Sequence, residues 1–178
     1  MKILNCIFLL LFSCNIARAA TDIGQWDMTI NGRVLANPCY LLSSNTETVI
    51  LGEYRTSDFP SPGSVGNSTF LTIIYNCGLG DPPYTLRING QADVNDPQLL
   101  ALSGSGSMAT NLAIEIRDYT PPGTDRIVPI NTTIQLSPIN PGGDSRQVVN
   151  LGFRYKSTQY PVQSGNASAV LTFEIVYP

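Results

Sequence analysis

VLTFEIVYP, residues 170–178, alternates small units of apolar and polar character right up to the end of the chain. With a period of two, Leu171, Phe173, Ile175 and Tyr177 share one face, and Val170, Thr172, Glu174 and Val176 the other, the pattern of a half-buried β-strand. Chain ends usually fray, so a large apolar comb at the last residues calls for something that holds it. The same period recurs upstream. Candidate strands are TVIL (48–51), STFLTIIYNC (68–77), YTLRING (84–90), LAIEIRD (112–118), RIVPI (126–130), TIQL (133–136), QVVNLGFRYKS (147–157) and ASAVLTFEIVY (167–177). Between them lie the turn clusters DFPSPGS, GLGDPP, SGSGS, YTPPGTD, NPGGDS and QSGNAS. Helical periodicity is nearly absent, the one helical expectation being a short turn over DPQLLAL, 96–102. Many short strands with regular turns predict a single all-β domain, an immunoglobulin-like sandwich.

Composition narrows the function. The 178 residues suffice for one domain with a sizeable core. Charged residues are 13% of the chain, the net charge is -3 and like charges form no block, which argues against nucleic acid or an anionic membrane as partner. Histidine is absent. That removes Ser-His-Asp and Cys-His nucleophiles, histidine metal ligands and histidine general bases. Most Asp and Glu stand beside Gly, Pro, Asn or Ser, as in Asp81-Pro82 and Gly143-Asp144, where turns explain them. No enzyme, no metal and no cofactor is expected. ADVNDP, 92–97, offers Asp93, Asn95 and Asp96 as calcium ligands but lacks the glycine and the distal bidentate glutamate of a calcium loop, so it reads as a turn. The triplets at Asn67, Asn131 and Asn166 match a glycosylation acceptor that matters only in a eukaryotic host.

The N-terminus, MKILNCIFLLLFSCNIARAA, has a basic start at Lys2, an apolar run from Ile3 to Phe12 and small residues at Ala17 and Ala19 before Ala20. This is the layout of a secretory signal peptide over 1–19, with the mature chain starting at Ala20. The apolar run is too short and interrupted for a membrane span, which needs about 20 apolar residues. Lipidation at Cys14 fits less well than cleavage after Ala19, because bulky Phe12 precedes Ser13. Export leaves two cysteines, Cys39 and Cys77, which read as one disulfide, worth roughly 4 kcal/mol in the chain-entropy model.

A second comb follows the signal. From Gly24 to Val34, alternate positions are Gly24, Trp26, Met28, Ile30, Gly32 and Val34, with Gln25, Asp27, Thr29, Asn31 and Arg33 between them. Eleven residues at ~3.3 Å each reach roughly 36 Å, about twice a typical strand.

Taken together, both ends resemble the chaperone-usher pilin family, close to the subunits of type 1-like fimbriae, across the whole mature chain. The resemblance is carried by INGRVLANPC at 30–39, with Gly32 seven residues before Cys39, by Cys77 after an apolar strand, and by the C-terminal pattern. In that pattern an aromatic residue is penultimate, here Tyr177, and a glycine is fourteenth from the end, here Gly165. The resemblance implies an incomplete immunoglobulin-like β-sandwich that lacks its last strand, leaving an apolar groove and an unpaired sheet edge. A periplasmic pilus chaperone lends a strand beside the C-terminal one. At the outer-membrane usher, the N-terminal extension of a neighbouring pilin subunit replaces it, a form of strand addition.

The implied organisation is a signal peptide over 1–19, a donor-strand extension over 20–33 and a pilin domain over 34–178. Trp26, Met28 and Ile30 would enter a neighbour's groove, with Gly32 where that groove narrows. Three such side chains, at roughly 1.5–3 kcal/mol each, contribute on the order of 4–9 kcal/mol. Gly165, Leu171, Phe173, Ile175 and Tyr177 belong to the strand that chaperone and neighbour grasp. The expected role is a structural fimbrial subunit, extracellular after passage through the periplasm, supporting cell adhesion. A minor, adaptor-like position is preferred over a major shaft pilin or base terminator, because the turns are long and the extension unusual. The competing reading is a freestanding secreted or surface β-sandwich binding module whose two ends pair within its own sheets.

Overall fold

In the computed structural model the described residues are 31, 33, 39–43, 46–77, 85–120, 123–135, 138–140 and 144–176. The chain divides into two units, Met1–Val34 and Leu35–Pro178, and the fold below is that of the second. Ten strands follow in order: β1 (Tyr40–Leu41), β2 (Thr69–Asn76), β3 (Thr85–Gly90), β4 (Leu100–Ala101), β5 (Leu112–Asp118), β6 (Arg126–Ile127), β7 (Thr133–Gln135), β8 (Pro138–Asn140), β9 (Asp144–Ser157) and β10 (Leu171–Val176). Among the described residues one 3-10 turn is present, at Thr56–Asp58.

The strands form two antiparallel sheets. The wider has the order β1-β2-β9-β5-β4, with β6 against β5 and β8 against β9; the narrower is β10-β3-β7. β9 is the spine of the wide sheet, paired with β2 from Thr69↔Phe153 to Asn76↔Arg146 and with β5 from Leu112↔Ser157 to Asp118↔Leu151. Period-two alternation puts Ile73 and Tyr75 of β2, Ile114 and Ile116 of β5, and Val149, Leu151, Phe153 and Tyr155 of β9 on the inner face. Leu86 and Ile88 of β3 and Ile134 of β7 close the core from the narrow sheet. This is the aligned two-layer packing in which alternate residues of both sheets share one core.

The expected β-rich architecture is present, with local differences. TVIL at 48–51 is not part of either sheet. The Thr69 hydroxyl donates to the Ile50 carbonyl at 3.2 Å, which holds the segment beside the start of β2 without a regular ladder. Val49 and Leu51 turn inward onto the core while Thr48 and Ile50 face out. Over 96–102, where a short helical turn is expected, a turn at 97–98, closed by the Leu99 N–H donating to the Asp96 carbonyl at 3.0 Å, leads through buried Leu99 into β4, where Leu100 is also buried; a short apolar run fits either element, and tertiary packing decides. The last strand begins at Leu171 rather than Ala167.

Cys39 and Cys77 form a disulfide that joins the residue before β1 to the residue after β2. The expected calcium-like segment is a turn: the Asp93 carboxylate accepts the backbone N–H groups of Asn95 and Asp96 at 2.9 and 3.1 Å.

Candidate functional site

β10 pairs with β3 from Leu171↔Gly90 to Val176↔Thr85, and among the described residues its other edge meets no strand. Beside that free edge a groove of about 1010 Å³ opens into the core. One wall is β10, whose Leu171, Phe173 and Ile175 are partly buried and point into the groove, with Thr172 and Glu174 on the exposed face. The other wall is the unladdered segment 46–53, through Val49 and Leu51. The floor is made by inward residues of the wide sheet, Leu71, Ile73 and Tyr75 of β2 and Phe153 and Tyr155 of β9.

The floor residue Tyr155 touches both flanks. The Tyr54 ring meets the Tyr155 ring edge-on with centroids 5.6 Å apart, and the Tyr155 hydroxyl donates to the Ala167 carbonyl at 2.8 Å. Tyr54 and Ala167 thus sit on opposite sides of one aromatic bridge. Burial pushes the Tyr155 hydroxyl up from its usual titration range, and pushes Tyr75 up to about 12, so the floor is uncharged at any ordinary pH.

A groove lined by aliphatic and aromatic side chains, bordered by a strand edge and a segment that pair with no further strand among the described residues, has one chemical match. It is an extended strand whose alternate side chains enter the groove while its backbone ladders to the walls.

The positions singled out in the sequence fall as follows. Leu171, Phe173 and Ile175 are brought together on one wall, and Cys39 is also among the residues that line the groove. Gly165 is not on β10. It lies in the preceding loop, where the Asn166 N–H donates to the Ser107 carbonyl at 2.8 Å and the Asn166 carbonyl accepts the Ala109 N–H at 2.9 Å. A Cβ at 165 would stand 2.4 Å from the Ala109 nitrogen and the Met108 carbonyl carbon, so this position admits only glycine without backbone movement. Gly165 lines a smaller hollow of about 640 Å³ that adjoins the groove beyond Ala167. The extension residues Trp26, Met28, Ile30 and Gly32, the penultimate Tyr177 and the signal segment lie outside the described residues.

Sequence reasoning missed two features. The first is the second wall: TVIL was legible as an apolar alternation, but nothing local says that its partner strand is missing. The second is a charge cluster on the outer face of the wide sheet. Glu115, only 2% exposed, accepts hydrogen bonds from Arg154 Nε at 2.8 Å, Arg117 Nη1 at 3.1 Å and Lys156 Nζ at 3.2 Å. Burial by itself raises the Glu115 carboxyl, but the hydrogen bonds from Arg154, Arg117 and Lys156 outweigh it and hold the group below the usual carboxylate range. Nearby, Asp118 is fully buried and takes Arg126 Nη2 at 2.6 Å.

The comparisons with known proteins agree with this architecture. A family model described as "Fimbrial protein" matches residues 28–178. The chain is 31% identical to an uncharacterized fimbrial-like protein, YcbU, of Escherichia coli, covering 98% of this chain and 97% of that one. It is also 31% identical to a type-1 fimbrial protein subunit of Serratia marcescens, covering 99% and 98%. Among solved structures, the P pilus rod subunit PapA superposes with a TM-score of 0.58 at 20% identity, over 86% of this chain and 100% of that one. A type I fimbria protein of Burkholderia pseudomallei gives 0.57 at 22% identity, over 80% and 91%.

Proposed function

The chain belongs to the fimbrial protein family and is a structural pilus subunit rather than an enzyme, and from that premise we propose that it polymerises by taking a strand into the groove beside β10. The single observation that carries this is the apolar groove of about 1010 Å³ between the free edge of β10 and the unladdered segment 46–53. A lone subunit with such a groove exposes core side chains and strand edges together, a combination prone to association. Before assembly a periplasmic chaperone covers the groove, and at the outer-membrane usher the extension of a neighbouring subunit replaces it. Residues 20–33 of this chain serve as the corresponding donor, with Trp26, Met28, Ile30 and Gly32 inward. The signal at 1–19 directs export, and the assembled fibre supports adhesion. Position in the fibre, whether adaptor, shaft or terminator, follows from which strand fills the groove.

The test is removal of residues 20–30 from the exported chain, co-produced with its chaperone and assayed for oligomer ladders. The shortened chain is expected to form a chaperone complex and to accept a strand, but not to extend beyond a neighbour. Normal ladders from the shortened chain would overturn the donor assignment. A lone mature chain that behaves as a cooperative monomer, indifferent to added strand peptide, would favour a freestanding module instead.

A further inference from the structure

The groove is apolar within, and its lining carries charge of one sign. The charged residues that line it are Glu47 and Glu53, near opposite ends of segment 46–53 and both exposed. Neither makes an ion pair with a described residue. The facing wall, Ala167 to Phe173 with Ile175, adds no charge. The cations nearby are committed or set apart. Arg87 pairs with Glu174 at 3.4 Å on the outer face of the narrow sheet, and Arg55 lines the smaller hollow, which Glu53 also borders, but not the groove. The two carboxylates are separated by at most about 22 Å of extended chain. A charge laid anywhere between them along the segment is therefore within about 11 Å of one of them in the strand direction, close to a Debye length at 0.1 M salt. Discrimination by charge here needs no particular register.

The chain's own extension carries the same sign. Between residues 21 and 32 its charged side chains are Asp22 and Asp27, and the first cationic one, Arg33, comes only at the border of the domain. We propose that the groove selects its strand by charge, and that its occupant in the fibre is the extension of a different subunit, one with Lys or Arg where this chain has Asp22 and Asp27. This rests on the reading of the groove as a strand acceptor. Apolar burial rewards any alternating strand of suitable size. Like charges set side by side penalise the wrong strand, and opposite charges speed the encounter with the right one. Two carboxylates on the wall against two on the extension make the joint between copies of this chain the disfavoured one. A basic strand meets both wall carboxylates with opposite charge and is drawn to the groove from solution. The chain thus belongs at a junction with an unlike subunit and not in a run of identical ones.

The experiment refolds the mature chain and measures capture of labelled peptides of residues 20–33: the parent sequence, Asp22→Asn with Asp27→Asn, and Asp22→Lys with Asp27→Lys. Removing two like-charge contacts should tighten capture about 2- to 30-fold, and the lysine peptide should gain a further factor of similar size. Both gains should shrink as salt rises from 10 mM to 1 M, where the Debye length falls from about 30 to 3 Å, and should vanish in a chain carrying Glu47→Gln and Glu53→Gln. Met28→Ser on the asparagine peptide removes one buried side chain and should weaken capture about 10- to 150-fold at any salt. Equal capture of the three charge forms, with Met28→Ser still weakened, refutes selection by charge and leaves the groove reading standing. A Met28→Ser peptide that binds like its parent, or capture of none of the peptides, refutes the groove reading itself. Gains that persist at 1 M salt or in the Glu47→Gln, Glu53→Gln chain overturn the assignment to those carboxylates. Homopolymer ladders from the exported chain as long as those of its Glu47→Gln, Glu53→Gln variant would make a second copy the occupant and overturn the proposal.

Discussion

Replacing Phe173 with aspartate should uncouple strand capture from folding. Phe173 lines the groove, pairs across the sheet with Ile88 of β3, and stays partly exposed while the groove is open. In the open subunit the introduced carboxylate reaches water through the groove, so its cost is chiefly lost packing, about 2–4 kcal/mol for a partly buried phenylalanine. Once a strand fills the groove the carboxylate is sealed against Leu171, Ile175 and the β2 floor. Desolvation then adds several kcal/mol, of which about 3–4 would appear as a capture affinity reduced roughly 100- to 1000-fold. Phe173→Ser removes comparable packing without a charge, so the difference between the two variants isolates desolvation. The introduced group titrates near 3.9 in water and is raised in the filled state. The complex therefore binds the extra proton, and capture should recover as pH falls from 7 toward 5, in the aspartate variant alone. Chaperone or peptide capture followed by fluorescence across that pH range is the assay. Equal capture by the aspartate and serine variants at pH 7, or capture that fails to recover on acidification, would refute the assignment of Phe173 to the strand-facing wall.

Two further changes probe the scaffold. Gly165→Ala must displace the Met108–Ala109 backbone and should cost about 1–3 kcal/mol of stability in thermal or denaturant unfolding; an unchanged midpoint would show that the loop is free to move aside. Glu115→Gln strands Arg154, Arg117 and Lys156 around a neutral amide, and because those cations keep 14–23% exposure the expected loss is about 2–3 kcal/mol, below the range for a fully sealed pair. The Glu115 carboxyl is depressed in the fold, so its stabilisation is present above its ordinary value near 4.3 and is lost as pH falls through the depressed one. The parent should lose stability over that acid range by a component the glutamine variant lacks, as unfolding midpoints measured from pH 5 down to 2 would reveal.

What the sequence made legible was local and periodic. The comb at 171–175 alternates strictly, so its facing could be read before any contact was known, and export with two remaining cysteines pointed to the disulfide. What stayed hidden depended on partners distant in the chain. Alternation alone assigns Glu115 to a solvated face, yet Arg154 and Lys156 arrive from β9, some forty residues later, and bury it. TVIL carries a strand pattern without a sheet because its missing neighbour belongs to no described part of this chain. Gly165 was recognised by its distance from the end, whereas its physical reason, backbone against backbone at 108–109, comes from a loop with no periodic signal.

Tension along a fibre built by strand insertion would be carried by the ladders the inserted strand makes with β10 of the narrow sheet and with segment 46–53 beside β2 of the wide one. A strand lying between β10 and segment 46–53 is pulled along its own axis, so its ladder bonds are sheared in parallel instead of being opened one after another. Under such a load the lifetime of a joint follows its rate of unfolding rather than its equilibrium affinity. A polymer of weakly charged, three-stranded joints can on that account outlast forces that would peel open any single strand pair.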